Sequence, residues 1–189
     1  AFKIVADFTK DLISEGMPVE TLDLGGGIGI IMDKDDTLFD LKDYMGVIKE
    51  TIAPLNTKLI LEPGRFITGD AGILLTKVLY FKQASEKAFL IVDAGMTDFM
   101  RPSLYDAEHP AQCITETAET HKTYDIVGPV CETSDVLAKD VRLPESAEKP
   151  GSLIAFMQTG AYGSVMASAY NARSLPSEIL TKGSCVEQI

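Results

Sequence analysis

The spacing of apolar residues changes near residue 70, and that change restricts the chain to folds with two differently built parts. Phe2, Val5, Thr9, Leu12 and Ile13 share one face at helical spacing, and Gly16 with Pro18 supplies a stop, so residues 2 to 15 are predicted helical. Thr21 to Leu24 is a short apolar run that opens into Gly25-Gly26-Gly27-Ile28-Gly29, as a buried strand does before a glycine loop. Ile31 to Asp36 is polar and predicted to be a loop. Asp40 is placed to cap a second helix striped by Leu41, Tyr44, Ile48 and Ile52 and closed by Pro54, and Lys58 to Leu61 comes next as a second buried strand. This alternation predicts a parallel α/β sheet. After Gly72 the pattern is strand-like: Ile73 to Lys82 and Lys87 to Val92 are β-rich, and Pro102, Pro110, Pro129, Pro144, Pro150 and Pro176 punctuate the remainder of the chain. The expected fold is therefore α/β then all-β, with an α/β part over 1–68 and an antiparallel β domain over 69–189; Tyr162 to Tyr170, rich in Ala, Ser and Met, is the one helical candidate in the second part.

Charge and length narrow the function. Lys and Arg number 17 against 28 Asp and Glu, a net charge of −11, which is the wrong sign for gripping nucleic-acid phosphates. No apolar run approaches the roughly 20 residues of a membrane span. Cys113, Cys131 and Cys185 are too few and too scattered for a disulfide framework and lack zinc spacing, so no metal site is expected and a reducing, cytoplasmic compartment fits best.

Five segments carry chemistry. Gly25, Gly26 and Gly27 after a strand let backbone N–H groups close on a phosphate, because no Cβ stands in the way. The dinucleotide pattern fails, since Ile30 stands where the third glycine belongs, and a plain strand-to-loop turn is the alternative. Glu62-Pro63-Gly64-Arg65 ends the second strand, where α/β sheets place ligand groups: the arginine suits a phosphate or carboxylate and Glu62 suits a cationic ring nitrogen, the alternative being a local ion pair. In the segment Asp93 to His109, Arg101 and Tyr105 stand four apart and meet one ligand carboxylate if the turn between them is helical; otherwise they are surface residues. Cys131 and Glu132 lie in a turn led by Gly128-Pro129, where acidic neighbours disfavour a thiolate and make Cys131 a proton donor, unless it is simply buried and inert. Tyr162 sits between glycines with its hydroxyl within reach of a phosphate. His109 and His121 lack ligand spacing and are taken as surface residues; Met96, Met100, Met157 and Met166 are taken as core filling.

Together LDLGGGIGI, LEPGR, VDAGMTDFMRPSLYDAEH, IVGPVCETSDVLAKD and GAYGSVMASAYNAR resemble, in order and spacing, the second half of the diaminopimelate decarboxylase family, over about residues 3 to 182. The resemblance implies a pyridoxal 5'-phosphate enzyme built as an eight-stranded α/β barrel followed by a β domain. It implies that meso-2,6-diaminopimelate is converted to L-lysine and CO2, the last step of lysine biosynthesis. It implies that Gly25, Gly26, Gly27, Gly64, Arg65 and Tyr162 hold the cofactor phosphate and that Glu62 pairs with the ring nitrogen. Arg65, Arg101, Tyr105 and Tyr162 would hold the distal end of the substrate, Glu132 its distal ammonium, and Cys131 would protonate the reacting carbon. Cys131 and Glu132 would come from the neighbouring subunit, so a homodimer is implied. The Schiff-base lysine and ring-stacking histidine of the family belong to segments that this chain does not contain, and Thr133 stands where serine is usual. A full barrel takes about 250 residues, so the chain is expected to be an internal fragment, inactive by itself. The alternatives are a related ornithine- or arginine-type decarboxylase and a non-catalytic dimerisation fragment.

Overall fold

The computed structural model describes residues 1–31, 40–114 and 120–188. It divides into two compact units, Ala1–Ile67 and Thr68–Ile189.

In the first unit, helix α1 (Phe2–Ser14) precedes strand β1 (Thr21–Asp23), and helix α2 (Leu41–Thr51) precedes strand β2 (Lys58–Ile60). Asp40 caps α2 by accepting the Lys42 N–H at 2.7 Å. β1 and β2 pair in parallel, Leu22 opposite Leu59. Ala6, Ile48 and Ile52 form a small core, against which Phe2, Leu22, Leu24, Tyr44, Leu59 and Leu61 pack, with Phe2 edge-on to Tyr44. The opposite side of α1 leaves Ile4 and Phe8 in solvent. Of the expected loop at Ile31 to Asp36, all but Ile31 lies outside the described residues. Helix α3 (Gly64–Thr68) begins shortly after β2.

The second unit is built on a six-stranded sheet. Its strands are β3 (Leu74–Gln83), β4 (Ala88–Val92), β5 (Ala111–Cys113), β6 (His121–Val127), β7 (Val136–Pro144) and β8 (Leu153–Phe156), ordered β5-β8-β3-β4-β6-β7. Every ladder of this sheet is antiparallel except β4 with β6, which is parallel and departs from the all-antiparallel expectation. The edge strands β5 and β7 meet, so the sheet curls toward a barrel. Strand alternation fills the core: Ala88, Leu90 and Val92 of β4 point inward to Val78, Ile126, Ile154 and Phe156, each large side chain contributing roughly 1.5–3 kcal/mol by burial. Pro144 ends an edge strand, where its missing N–H breaks no interior ladder. Where β6 and β7 slip register, Asp125 accepts the Asp140 N–H at 2.9 Å and the Lys87 ammonium at 2.7 Å.

Helix α4 (Arg101–Tyr105) lies between β4 and β5. The expected helix at Tyr162–Tyr170 does not form. Only short 3-10 turns occur, at Ser164–Met166 and Tyr170–Ala172, because the segment is tied to other parts of the unit: Ser168 N–H donates to the Thr97 carbonyl at 2.9 Å, and Gly163 lies flush on the Thr159 carbonyl. Strands β9 (Ile179–Lys182) and β10 (Cys185–Gln188) form a separate antiparallel hairpin, exposed throughout.

Candidate active-site segments

The two loops of the first unit are laced together by the parallel ladder. Leu24 N–H donates to Ile60 O, Glu62 N–H to Gly25 O, and Gly64 N–H to Glu62 O, at 3.1, 2.8 and 2.8 Å. Gly25 and Gly27 have φ of +67° and +85°, and a Cβ on Gly26 would stand 2.2 Å from the Glu62 carbonyl oxygen, so the triple glycine is dictated by the close approach of the two loops. Nothing lies within 4 Å of a Cβ built on Gly25, Gly27 or Gly29. Among the described residues nothing accepts a hydrogen bond from the Gly26 or Gly27 N–H. Such a cradle fits a phosphate, with Arg65 half-buried and Glu62 exposed beside it. Among the described residues no ion pair joins Glu62 to Arg65, so the alternative of a local pair is not what the loop forms.

In the second unit, the turn after β4 is fixed by carboxylates, Asp93 half-exposed and Asp98 buried. Asp93 accepts the Thr76 hydroxyl and the Lys77 N–H, and Asp98 accepts the Gly95 N–H at 2.8 Å. Burial would push the Asp93 carboxyl up, but these hydrogen bonds and Lys77 outweigh it and hold it below its ordinary value. Asp135, 3% exposed, accepts Met96 N–H and Val130 N–H, both at 2.6 Å, and so clamps the Cys131–Glu132 turn to the turn after β4. Gly95 and Gly128 press on this carboxylate so closely that a Cβ on Gly128 would lie 2.4 Å from it. Burial raises the Asp135 carboxyl above its ordinary value in spite of its two N–H donors. Arg173 ties the third segment to the same place, donating to Thr97 Oγ1 at 3.1 Å and to the Asp93 carbonyl at 2.7 Å.

Arg101 and Tyr105 do share a helical turn, with the guanidinium carbon 5.9 Å from the Tyr105 ring centroid. Arg101 is buried while Tyr105 is exposed. Ser103 of the same helix donates to the Ser134 carbonyl at 2.6 Å and joins α4 to the Cys131–Glu132 turn. Cys131 and Glu132 are exposed, which overturns the alternative of a buried, inert cysteine. Tyr170 donates a short hydrogen bond to Glu132, which raises the phenol above its ordinary value, since the phenolate would lose that bond and face a carboxylate. Tyr162 stands half-exposed at φ +58°, and among the described residues no hydrogen bond joins it to Arg101, Tyr105 or Glu132.

Several residues at these turns carry no signature a single sequence reveals. Asp135, Arg173 and Tyr170 act through tertiary pairing, and His109, expected at the surface, is buried against Arg101 and Phe99. Met96, Met100, Met157 and Met166, expected to fill the core, are only partly buried and lie outside its packed cluster. Among the described residues no cluster of His, Cys, Asp or Glu could hold a metal, and no helix is long and apolar enough to cross a membrane.

The curled sheet, with its Arg-Tyr helix and clamped Cys-Glu turn, is the sheet domain of a pyridoxal-dependent class of protein. The chain belongs to the family of pyridoxal-dependent decarboxylases, whose C-terminal sheet domain model matches residues 4–160. It is 47% identical over 170 residues to the diaminopimelate decarboxylase of Helicobacter pylori, covering 89% of this chain and 41% of that protein. The crystal structure of diaminopimelate decarboxylase from Helicobacter pylori complexed with L-lysine superposes with a TM-score of 0.89 at 42% identity, over 99% of this chain and 45% of that one. SrLDC in complex with PLP and cadaverine is more distant, with a TM-score of 0.77 at 29% identity over 92% of this chain and 45% of that one. The chain thus spans about two fifths of the length of the curated relatives it matches.

Proposed function

We propose that this chain is the C-terminal part of a pyridoxal 5'-phosphate-dependent decarboxylase that converts meso-2,6-diaminopimelate to L-lysine and CO2. The observation that carries the reading is the Cys131–Glu132 turn, which presents a thiol and a carboxylate outward from a rigid, buried clamp. When bound, the cofactor supplies an electron sink for the pair left as CO2 departs. Gly25, Gly26 and Gly27, with Gly64, Arg65 and Tyr162, would hold its phosphate, and the Glu62 carboxylate would keep a proton on its ring nitrogen. Arg65, Arg101, Tyr105 and Tyr162 take the substrate's distal end, and Glu132, steadied by Tyr170, takes the distal ammonium. Cys131 Sγ–H gives its proton to the carbon that has lost CO2.

A turn that offers Cys131 and Glu132 to its surroundings suits a site completed between two copies of the chain, so the enzyme is read as a homodimer sharing residues across its interface. Free thiols at Cys113, Cys131 and Cys185 fit a reducing, cytoplasmic setting. The domains are read as a partial barrel over 1–68, carrying the cofactor loops, and a β-rich part over 69–189, carrying substrate and dimer contacts.

The test is made on the complete polypeptide loaded with pyridoxal phosphate, by measuring CO2 release from meso-diaminopimelate, ornithine and arginine. Turnover of diaminopimelate alone, with a loss well beyond tenfold in Glu132→Ala, is expected. A preference for ornithine or arginine, or unchanged kinetics in Glu132→Ala, would refute the assignment.

A further inference from the structure

His109 immediately precedes Pro110 and β5, and its place is set by the sheet. Ala111 pairs with Phe156, and Met157 N–H donates to the Pro110 carbonyl at 2.8 Å, extending that ladder to the edge of the histidine. The ring is 6% exposed and stands edge-on to Phe99 at 4.7 Å between centroids. Its Nδ1 lies 3.1 Å from the Met157 carbonyl oxygen, and its Nε2 lies 3.2 Å from Arg101 Nε, with Arg101 itself 5% exposed.

These two contacts select one chemical form of the ring. A carbonyl oxygen only accepts and a guanidinium nitrogen only donates, so Nδ1 must carry the proton and Nε2 must offer its lone pair. An imidazolium would turn a donor toward Arg101. Burying a guanidinium is costly unless its donors are engaged, and His109 Nε2 engages the Nε donor of Arg101. Engaging Nε also decides how the fork meets an anion. A carboxylate binds a guanidinium along the Nε/Nη edge or along the outer edge formed by the two Nη groups, and His109 occupies the first.

We propose that His109 is a positioning residue: as the neutral Nδ1–H tautomer it fixes Arg101 so that its outer Nη edge receives the distal carboxylate of the substrate. This rests on the proposed role of Arg101 and adds the group that orients it. L-lysine keeps that carboxylate after decarboxylation, whereas cadaverine lacks it, so the two ligands separate distal-carboxylate binding from everything else in the site.

The first measurement is nitrogen NMR of the histidine rings. A protonated Nδ1 and an unprotonated Nε2 in His109 are expected, and an Nε2–H tautomer would overturn the proposal without recourse to activity. The second is calorimetric binding to the complete, cofactor-loaded enzyme and its Arg101→Lys, His109→Phe and His109→Gln variants. Phe keeps a planar aromatic ring and removes the acceptor, and Gln restores an acceptor near the position of Nε2. Lysine affinity should fall at least tenfold in His109→Phe and largely return in His109→Gln, while cadaverine affinity changes less than threefold in both. In turnover, His109→Phe should raise KM for diaminopimelate about tenfold with kcat within threefold. Weaker lysine binding in Arg101→Lys but not in His109→Phe would overturn the positioning role alone. Unchanged lysine binding in Arg101→Lys would remove Arg101 from the distal site, and the proposal with it.

Discussion

Loss of the Asp135 carboxylate should loosen the Cys131–Glu132 turn more than any change to the turn's own side chains. The carboxylate accepts Met96 N–H and Val130 N–H at 2.6 Å each from a 3% exposed position, so Asp135→Ala strands two buried donors. Each stranded donor costs about 1–3 kcal/mol, giving roughly 2–6 kcal/mol for the pair. Asp135→Asn keeps one carbonyl acceptor and turns an amide toward the other donor, so about half that loss is expected. At roughly 4 °C per kcal/mol for a unit of this size, Asp135→Ala should lower the melting temperature by on the order of 10–20 °C. The pH dependence has a definite sign. Burial raises the Asp135 carboxyl, so folding favours its protonated form. The stability it contributes is full below about pH 4 and diminishes as pH rises through the raised value, and the wild-type advantage over Asp135→Ala should shrink over the same interval. Thermal unfolding followed by circular dichroism at acidic and neutral pH measures both effects, and the alkylation rate of Cys131 reports the turn directly. Melting temperatures within a degree or two of wild type at both pH values, with unchanged alkylation, would refute the clamp.

Three further outcomes are expected. Gly26→Ala forces a Cβ to within 2.2 Å of a backbone carbonyl, so the two loops must part and retention of pyridoxal phosphate by the complete enzyme should fall at least tenfold, as read by equilibrium dialysis. Asp125 is pushed up by burial but held below its ordinary value by Lys87, the Asp140 N–H and neighbouring lysines, so its stabilising effect is present above about pH 4 and lost as pH falls through the lowered value. Lys87→Met should therefore lose less stability on acidification than wild type; urea denaturation at neutral and acidic pH showing equal losses would contradict this. Glu132→Gln should let the Tyr170 phenol ionise at lower pH than in wild type, seen as one tyrosine shifting in an ultraviolet difference titration.

Elements whose signal is local could be read from the sequence. The α1 face, the Asp40 cap, the glycine loop and the β-rich run at Lys87 to Val92 each rest on a signal within a few residues, and each is found in place. What escaped depends on partners far along the chain. The helix expected at Tyr162–Tyr170 is unmade by Ser168 bonding to Thr97 and by glycines seated on backbone carbonyls. His109 looks like any polar loop residue until β5 pairs with β8 and carries it under Arg101. Asp135 sits among exposed neighbours in sequence, and only the close approach of Gly95 and Gly128 buries it. The parallel pairing of β4 with β6 had no local mark either, because it depends on where the chain goes between them.

Parallel neighbours cannot be joined by a tight turn and require a crossover of a dozen or more residues. The chain between Val92 and His121 is that crossover, and it carries Arg101, Tyr105 and His109 together. Its ends are anchored by the ladder and its middle by Met96 on Asp135, Ser103 on Ser134 and β5 on β8, so a change in any of these distant partners is transmitted to Arg101, Tyr105 and His109.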